Sequence, residues 1–132
     1  MPCCWDLGLW TLQVNVALDY MHLQGWGHCD VKPPNIFIDP QGDFNLGDYG
    51  AMRKLGEPAN EQTARFVPSD APFDIHECCI KLDKALLAVT VLERLGLLEL
   101  KHGSGPSYKA IKEKVAGITH IELQSRLKAL VP

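Results

Sequence analysis

The feature of this chain that most restricts its fold is the apolar segment over residues 75–97. Hydrophobic side chains lie on nearly all sides of a helix built from it, whereas a surface helix keeps a polar face. We therefore predict a buried central helix over residues 75–97, around which the other elements must pack. The chain has 132 residues, of which 46% are hydrophobic, and this is enough apolar material for one core.

Further helices are predicted on both sides of the central one. The first covers residues 7–24, and Gly25 supplies its stop signal. Its apolar side chains recur at steps of three and four residues: Leu9, Leu12, Val16, Tyr20 and Leu23. Near the end of the chain, a glycine- and proline-containing break at residues 103–106 precedes two peripheral amphipathic helices, predicted within residues 105–131.

The pattern between the first two helices is that of strands and loops. Residues 35–39 read as a short strand and residues 43–47 as its partner, with Pro-Gln-Gly turn chemistry between them. A small hairpin is therefore predicted over residues 35–47. Residues 51–72 contain Gly56, Pro58, Asn60, Pro68 and Pro72 and are predicted to form an extended loop. A loop of this length inside a compact domain is usually functional.

Charge and composition exclude several classes of function. The net charge is −3 and the basic residues are scattered, which argues against nucleic-acid binding. The longest apolar run, residues 85–92, is far shorter than the ~20 residues that span a bilayer. The first residues lack a basic segment that leads into an apolar one, so no signal peptide is predicted. We expect a soluble intracellular protein, cytoplasmic or nuclear.

The five cysteines fit a reducing compartment better than a disulfide framework. The string His76-Glu-Cys78-Cys79 leaves zinc binding open as an alternative, but zinc sites usually draw further ligands from a second short pair. No second pair with that spacing occurs in the sequence, so thiols packed on a helix are the favoured interpretation. The isolated histidines are interpreted as surface or packed residues: His22, His102 and His120.

The segment that carries chemistry reads His28-Cys29-Asp30-Val31-Lys32-Pro33-Pro34-Asn35 and is followed by Asp48-Tyr49-Gly50. It resembles the catalytic loop of protein kinases, H-R-D-x-K-x-x-N, which is followed across a hairpin by D-F-G. The resemblance implies a mainly α (α+β) fold, the C-terminal lobe of a kinase. Residues 28–35 would form the catalytic loop and residues 48–70 the activation segment, so that residues 1–132 form a single partial domain.

The resemblance implies roles for four residues. Asp30 would be the catalytic base that accepts the proton of a substrate hydroxyl, and Lys32 a second catalytic residue that contacts the transferred phosphate. Asn35 and Asp48 would hold magnesium, a cation that prefers oxygen ligands. The implied cofactors are ATP and magnesium, and the cofactor-binding residues are Lys32, Asn35 and Asp48. Lys32 also favours the Ser/Thr type over the tyrosine type of kinase.

Three further stretches match the family in the same order, so the resemblance extends over about residues 9–96. Residues 17–28 resemble the helix that leads into the catalytic loop, where His28 would be a structural histidine without proton chemistry. Residues 63–70 resemble T-x-x-Y-x-A-P-E. Asp83 matches the aspartate that opens the family's buried helix, and the resemblance implies that it ties this helix to the catalytic-loop backbone. A buried carboxylate needs such partners.

The sequence departs from the family pattern at three places. Cys29 replaces an arginine that pairs with an activation-loop phosphate, so Thr63 is interpreted as a plain loop threonine rather than an activating site. Asp70 replaces a longer glutamate, and Arg126 is the only late arginine that could pair with it. The glycine-rich loop, strand lysine and helix glutamate that hold ATP in kinases do not occur in these 132 residues.

These features leave two hypotheses of function. The first is a protein-kinase-like domain that, in its complete form, transfers a phosphoryl group from Mg-ATP to a Ser/Thr hydroxyl, and that is weak or inactive at this length. The second is a pseudokinase-like scaffold or binding module without catalysis. The expected partner is a protein substrate or a protein that covers the exposed surface facing the N-terminal lobe of a kinase, with no nucleic acid and no membrane.

Overall fold

The computed structural model describes residues 4–59, 63–101 and 105–132. Four α-helices lie in these ranges: α1 (Cys4–Leu23), α2 (Ile80–Arg94), α3 (Tyr108–Ala116) and α4 (Ile121–Leu130). Four short strands accompany them: β1 (Trp26–Gly27), β2 (Ile36–Ile38), β3 (Phe44–Leu46) and β4 (Arg53–Lys54). The mainly α class with small β pairs is therefore confirmed. No helix in the described ranges is long and apolar enough to cross a membrane.

Helix α2 lies at the centre of the core, as its apolar sequence predicts. Its side chains from Leu82 to Leu92 are buried with the exception of Lys84. The helix is shorter than the predicted range of 75–97, because the residues before it bond to a loop: the Cys78 amide donates to the Glu57 carbonyl at 2.7 Å. At the other end Gly96 adopts a positive φ of 75°, which terminates the helix.

Helix α1 buries one apolar face and exposes another. Leu7, Trp10, Val14 and Leu18 form the buried face, and the helix contacts α2, α4 and β3. The outer face of α1 is also apolar, and its side chains are between 41% and 84% exposed: Leu12, Val16, Tyr20 and Leu23. Most of the stripe that reveals this helix in the sequence therefore faces solvent rather than the core.

The four strands form two antiparallel pairs. Strands β2 and β3 pair Ile36 with Leu46 and Ile38 with Phe44, which is the predicted hairpin. The Asp39 carboxylate closes its turn by accepting from the amides of Gln41 and Asp43. Strands β1 and β4 pair Trp26 with Lys54, so this pair is a long-range contact rather than a second hairpin. It joins the end of α1 to the chain beyond the β2–β3 hairpin.

The C-terminal helices close the core and hold the loop before α2. The Ser69 amide donates to the Pro106 carbonyl at 2.9 Å, and the Tyr108 amide donates to the Ser69 carbonyl at 2.9 Å. Helix α4 is tied to α1 through Arg126, which donates to the Gly8 carbonyl at 2.8 Å and pairs with Glu122 at 2.6 Å. Arg126 therefore has other partners than Asp70, the residue that the family pattern suggested.

Gly105 lies against the backbone of the loop, and we expect Gly105→Ala to destabilise the fold. A Cβ at this position would stand 1.6 Å from the Val67 carbonyl oxygen, so the backbone must shift. We expect a loss of about 3 kcal/mol in the free energy of unfolding, measured by urea titration.

The matched control is Gly117→Ala, because a Cβ there would meet its nearest neighbour, the Lys114 carbonyl oxygen, at an ordinary 3.6 Å. We expect this control to change the unfolding free energy by less than about 0.5 kcal/mol. Equal stability of the two variants would contradict the proposed close approach at Gly105.

Candidate active site

A buried carboxylate fixes the loop that carries the candidate catalytic residues. Asp83 is fully buried near the start of α2, and its two oxygens accept from the His28 amide at 2.9 Å and the Cys29 amide at 2.8 Å. The His22 Nε2 atom lies 2.7 Å from the same carboxylate. The role that the resemblance implies for Asp83 therefore appears in the structure, and His22 is packed at this junction rather than on the surface.

His28 connects this anchor to the hairpin. The Asp30 amide donates to His28 Nδ1 at 3.2 Å, so Nδ1 is the acceptor and Nε2 carries the hydrogen. His28 Nε2 in turn lies 2.8 Å from the Gly47 carbonyl oxygen. The Gly47 amide donates to the Asn35 carbonyl at 2.8 Å. These hydrogen bonds hold Asn35 close to Gly47, the residue directly before Asp48.

Asp30, Lys32 and Asn35 lie close together in the structure. Lys32 Nζ lies 3.3 Å from Asp30 Oδ2, and both side chains are only partly exposed. The Asn35 side chain is buried, and its Nδ2 donates to the Asp30 carbonyl oxygen at 2.7 Å. This bond fixes the orientation of the amide and directs its nitrogen, not its oxygen, to the loop backbone.

Thr63 lies in the candidate site, with contacts that sequence reasoning did not predict. Its amide donates to Asp30 Oδ1 at 3.0 Å, and Lys32 Nζ donates to its hydroxyl at 2.7 Å. The interpretation of Thr63 as a loop threonine rather than an activating site stays a prediction, and the structure adds that Thr63 bridges both candidate catalytic residues. Its place as the first residue of the T-x-x-Y-like stretch was a signal in the sequence, but spacing did not indicate which residues it contacts.

Asp48 follows Gly47 directly and adopts a left-handed backbone conformation, with φ 51° and ψ 81°. Its side chain is exposed, and its Oδ1 accepts from the Gly50 amide at a long 3.4 Å. The next residue, Tyr49, places its ring edge-on to His28, with 5.7 Å between the ring centroids. The Tyr49 hydroxyl donates to the Leu46 carbonyl at 2.7 Å.

The donor set of Asn35 and Asp48 fits magnesium. An amide oxygen and a carboxylate are the hard ligands this cation takes, and it usually completes its shell with phosphate oxygens and water. No three His, Cys, Asp or Glu side chains group as metal ligands within the described ranges.

A thiol, Cys29, stands where the family pattern has an arginine, and Cys78 lies beside it. Cys29 is buried with a positive φ of 71°. Burial raises the pKa of the Cys29 thiol far above its ordinary value, and its hydrogen bond with Cys78 raises it further. The Cys78 thiol donates to the Arg53 carbonyl at 3.3 Å, and burial raises its pKa as well. These thiols therefore pack rather than act as nucleophiles.

Comparisons with known proteins show which family the sequence matches. Residues 5–71 match the family described as the protein kinase domain. A Wee1-like protein kinase of Arabidopsis thaliana is 32% identical over 123 residues, which cover 90% of this chain and 24% of that protein. The serine/threonine-protein kinase mos of Gymnogyps californianus is 42% identical over 48 residues, 36% of this chain and 24% of that protein. The chain thus spans at most about a quarter of these curated relatives.

A solved structure shows the same fold. The kinase PK-1 of the Cydia pomonella granulovirus superposes with a TM-score of 0.60 at 21% sequence identity. The superposition covers 68% of this chain and 34% of that protein. At this identity the likeness concerns the fold alone, and it supports the arrangement of helices around α2.

We expect Asp83→Asn to loosen the catalytic loop. The substitution keeps the shape but replaces one acceptor oxygen with an NH₂ group, so a buried donor loses its partner. A loss of about 2–3 kcal/mol in unfolding free energy is expected, together with faster hydrogen exchange of the His28 and Cys29 amides.

The control is Asp19→Asn, which removes a half-exposed partner of Lys84 and is expected to cost less than about 1 kcal/mol. Unchanged exchange at His28 and Cys29 in the Asp83 variant would contradict the anchoring role.

The buried thiols predict a loss of stability at alkaline pH. In the unfolded chain these thiols ionise near their ordinary pKa of 9.0, whereas burial keeps Cys29 and Cys78 protonated in the folded state. Their contribution is therefore complete below pH 9.0 and is lost as the pH rises above it, by up to about 1.4 kcal/mol per pH unit for each thiol.

Urea titrations between about pH 8 and pH 10.5 would measure this slope. The double variant Cys29→Ala with Cys78→Ala serves as control and is expected to show a shallower slope. Equal slopes for the two proteins would show that the thiols ionise as readily in the folded state as in the unfolded one.

Proposed function

The chain belongs to the protein kinase family, and from this premise we propose that it is the catalytic-loop lobe of a Ser/Thr protein kinase. In its complete form this domain transfers a phosphoryl group from Mg-ATP to a serine or threonine hydroxyl of a protein. The observation that carries the proposal is the convergence of Lys32 and Thr63 on the Asp30 carboxylate. A loop without catalysis has no physical need of this arrangement.

Asp30 acts as the base in this proposal. One of its oxygens accepts from the Thr63 amide, and the other faces Lys32. Both contacts hold the carboxylate in one orientation, from which it can orient a substrate hydroxyl and accept its proton. Phosphoryl transfer depends mainly on such positioning and on neutralising charge.

Lys32 supplies the positive charge for the transferred phosphoryl group. Its ammonium is held between the Asp30 carboxylate and the Thr63 hydroxyl and remains partly exposed. Asn35 and Asp48 would hold the magnesium ion, which when bound neutralises charge on the phosphates of ATP. The Ser/Thr type is supported by the Lys32–Thr63 contact and by the named serine/threonine kinase relative.

A polypeptide of these 132 residues is proposed to be weak or inactive by itself. It contains no glycine-rich loop and no strand lysine to hold ATP, and preorganised positioning supplies much of the acceleration in this chemistry. The outer face of α1 and the side chains of Phe37 and Tyr49 are exposed apolar surface. We propose that an N-terminal kinase lobe or another protein partner covers this surface.

A second candidate function is a scaffold without catalysis. One observation favours it: the neutral Cys29 thiol, packed against Cys78, takes the place of the arginine that responds to phosphorylation of the activation segment. A test of nucleotide binding distinguishes the two functions. Catalysis requires Mg-ATP at Asn35 and Asp48, whereas a scaffold does not require it.

We expect Mg-ATP to raise the thermal midpoint of the purified chain if the catalytic proposal holds. Ligand at about 100 times its Kd stabilises the folded state by roughly 2.7 kcal/mol. The shift is expected to require magnesium and to disappear in Asp48→Ala, because the carboxylate is a ligand of the cation. Differential scanning calorimetry would measure it.

Asp30→Asn is the matched control, because the base is not needed for nucleotide binding. We expect it to keep the shift while abolishing phosphorylation of a generic protein substrate. Absence of any shift in a cooperatively folded chain would favour the scaffold. A turnover of about 1–100 per second, usual for kinases, would contradict the proposed weakness of this polypeptide alone.

A further inference from the structure

We infer that the hydroxyl group of Tyr49 is a positioning group that holds Asp48 in its observed conformation. The inference deepens the proposed function, because Asp48 is the proposed carboxylate ligand of the cation. In the family pattern D-F-G this position is a phenylalanine, which has the ring but no hydroxyl. The sequence has Tyr49 instead, and its hydroxyl makes a specific bond.

Asp48 needs external support to keep its backbone conformation. Its φ of 51° lies in the left-handed region, which is sparsely populated by residues other than glycine and persists only where the surroundings enforce it. The contact of its own side chain with the Gly50 amide is 3.4 Å long, beyond the usual range for an N–H···O bond. The support must therefore come chiefly from the residues on either side.

Gly47, on the N-terminal side of Asp48, is fixed twice. Its amide donates to the Asn35 carbonyl at 2.8 Å, and its carbonyl lies 2.8 Å from His28 Nε2. A Cβ at Gly47 would stand 2.6 Å from the Phe37 ring, so the backbone here packs closely against β2. The peptide before Asp48 therefore has one available position.

On the C-terminal side, Tyr49 provides the corresponding support. Its hydroxyl reaches back across Asp48 to the Leu46 carbonyl at 2.7 Å, which closes a short loop over residues 46–49. Its ring rests edge-on against His28, and its carbonyl accepts from the Met52 amide at 3.0 Å. Asp48 is thus held between Gly47 and Tyr49, and both supports lead to His28.

The hydroxyl matters because the ring alone leaves the loop less restrained. The Tyr49 side chain is 52% exposed, so its packing against His28 covers only part of it. Without the bond to Leu46 the residue can rotate outwards, and the strain at Asp48 favours this motion. A hydrogen bond of this kind biases such an equilibrium by about threefold to tenfold.

The test compares Tyr49→Phe with Tyr20→Phe. The first variant removes only the hydroxyl that bonds Leu46, and the second removes a hydroxyl from a tyrosine that is 67% exposed on the outer face of α1. Hydrogen exchange at the Gly50 and Met52 amides, measured by NMR, is expected to accelerate about threefold to tenfold in Tyr49→Phe. Exchange in α2 is expected to stay unchanged in both variants.

A binding measurement separates positioning from mere packing. Titration with Mn²⁺ and ATP, followed by paramagnetic broadening of the amide signals, is expected to show a Kd about threefold to tenfold higher in Tyr49→Phe than in the wild type or Tyr20→Phe. Unchanged exchange at Gly50 and Met52 in Tyr49→Phe would overturn the inference. Faster exchange with an unchanged Kd would overturn it too, because the hydroxyl would then hold the loop without positioning Asp48 for the cation.

Failure of the proposed function gives a different result. In that case Mn²⁺ and ATP do not broaden the amide signals of the wild type. Faster amide exchange in Tyr49→Phe would still support the inference that the hydroxyl restrains the conformation of Asp48. The exchange measurement therefore tests the restraint on the loop, and the titration of the wild type tests the cation site.

Discussion

The arrangement of this lobe depends on one desolvated carboxylate. A carboxyl group in the core is tolerated only where hydrogen-bond partners surround it, and Asp83 finds them in the amides of His28 and Cys29 and in the ring of His22. The same bonds that satisfy Asp83 fix the start of the catalytic loop against the central helix. The buried helix α2 and the loop with the candidate catalytic residues are therefore joined directly through Asp83.

Local features of the fold could be read from the sequence. The central helix was recognisable from apolar residues on all its sides, the end of α1 from Gly25, and the hairpin from its turn residues. The limits of α2 were not, because residues 76–78 pair with the loop at residues 56–59, and that partner lies some twenty positions away in the chain. The pairing of β1 with β4 was missed for the same reason.

The candidate site was predictable only in part. The order of Asp30, Lys32, Asn35 and Asp48 could be matched to a family pattern, and the structure brings the first three into direct contact. The contacts of Thr63 and His22 could not be assigned from spacing, because their partners are distant in the sequence. Thr63 contacts residues 31 and 33 positions away, and His22 contacts a residue 61 positions away. Periodicity also misled in α1: it reveals a helix but does not say which of two apolar faces the core takes.

The exposed apolar face of α1 affects how much of the protein a cell can maintain. A polypeptide of these 132 residues made alone presents Leu12, Val16, Tyr20 and Leu23 to solvent, and surfaces of this kind are recognised by chaperones and promote aggregation. Quality control removes molecules whose apolar surface stays uncovered. With the proposed partner protein on this face, the abundance of such a polypeptide is expected to follow the amount of that partner more than its own rate of synthesis.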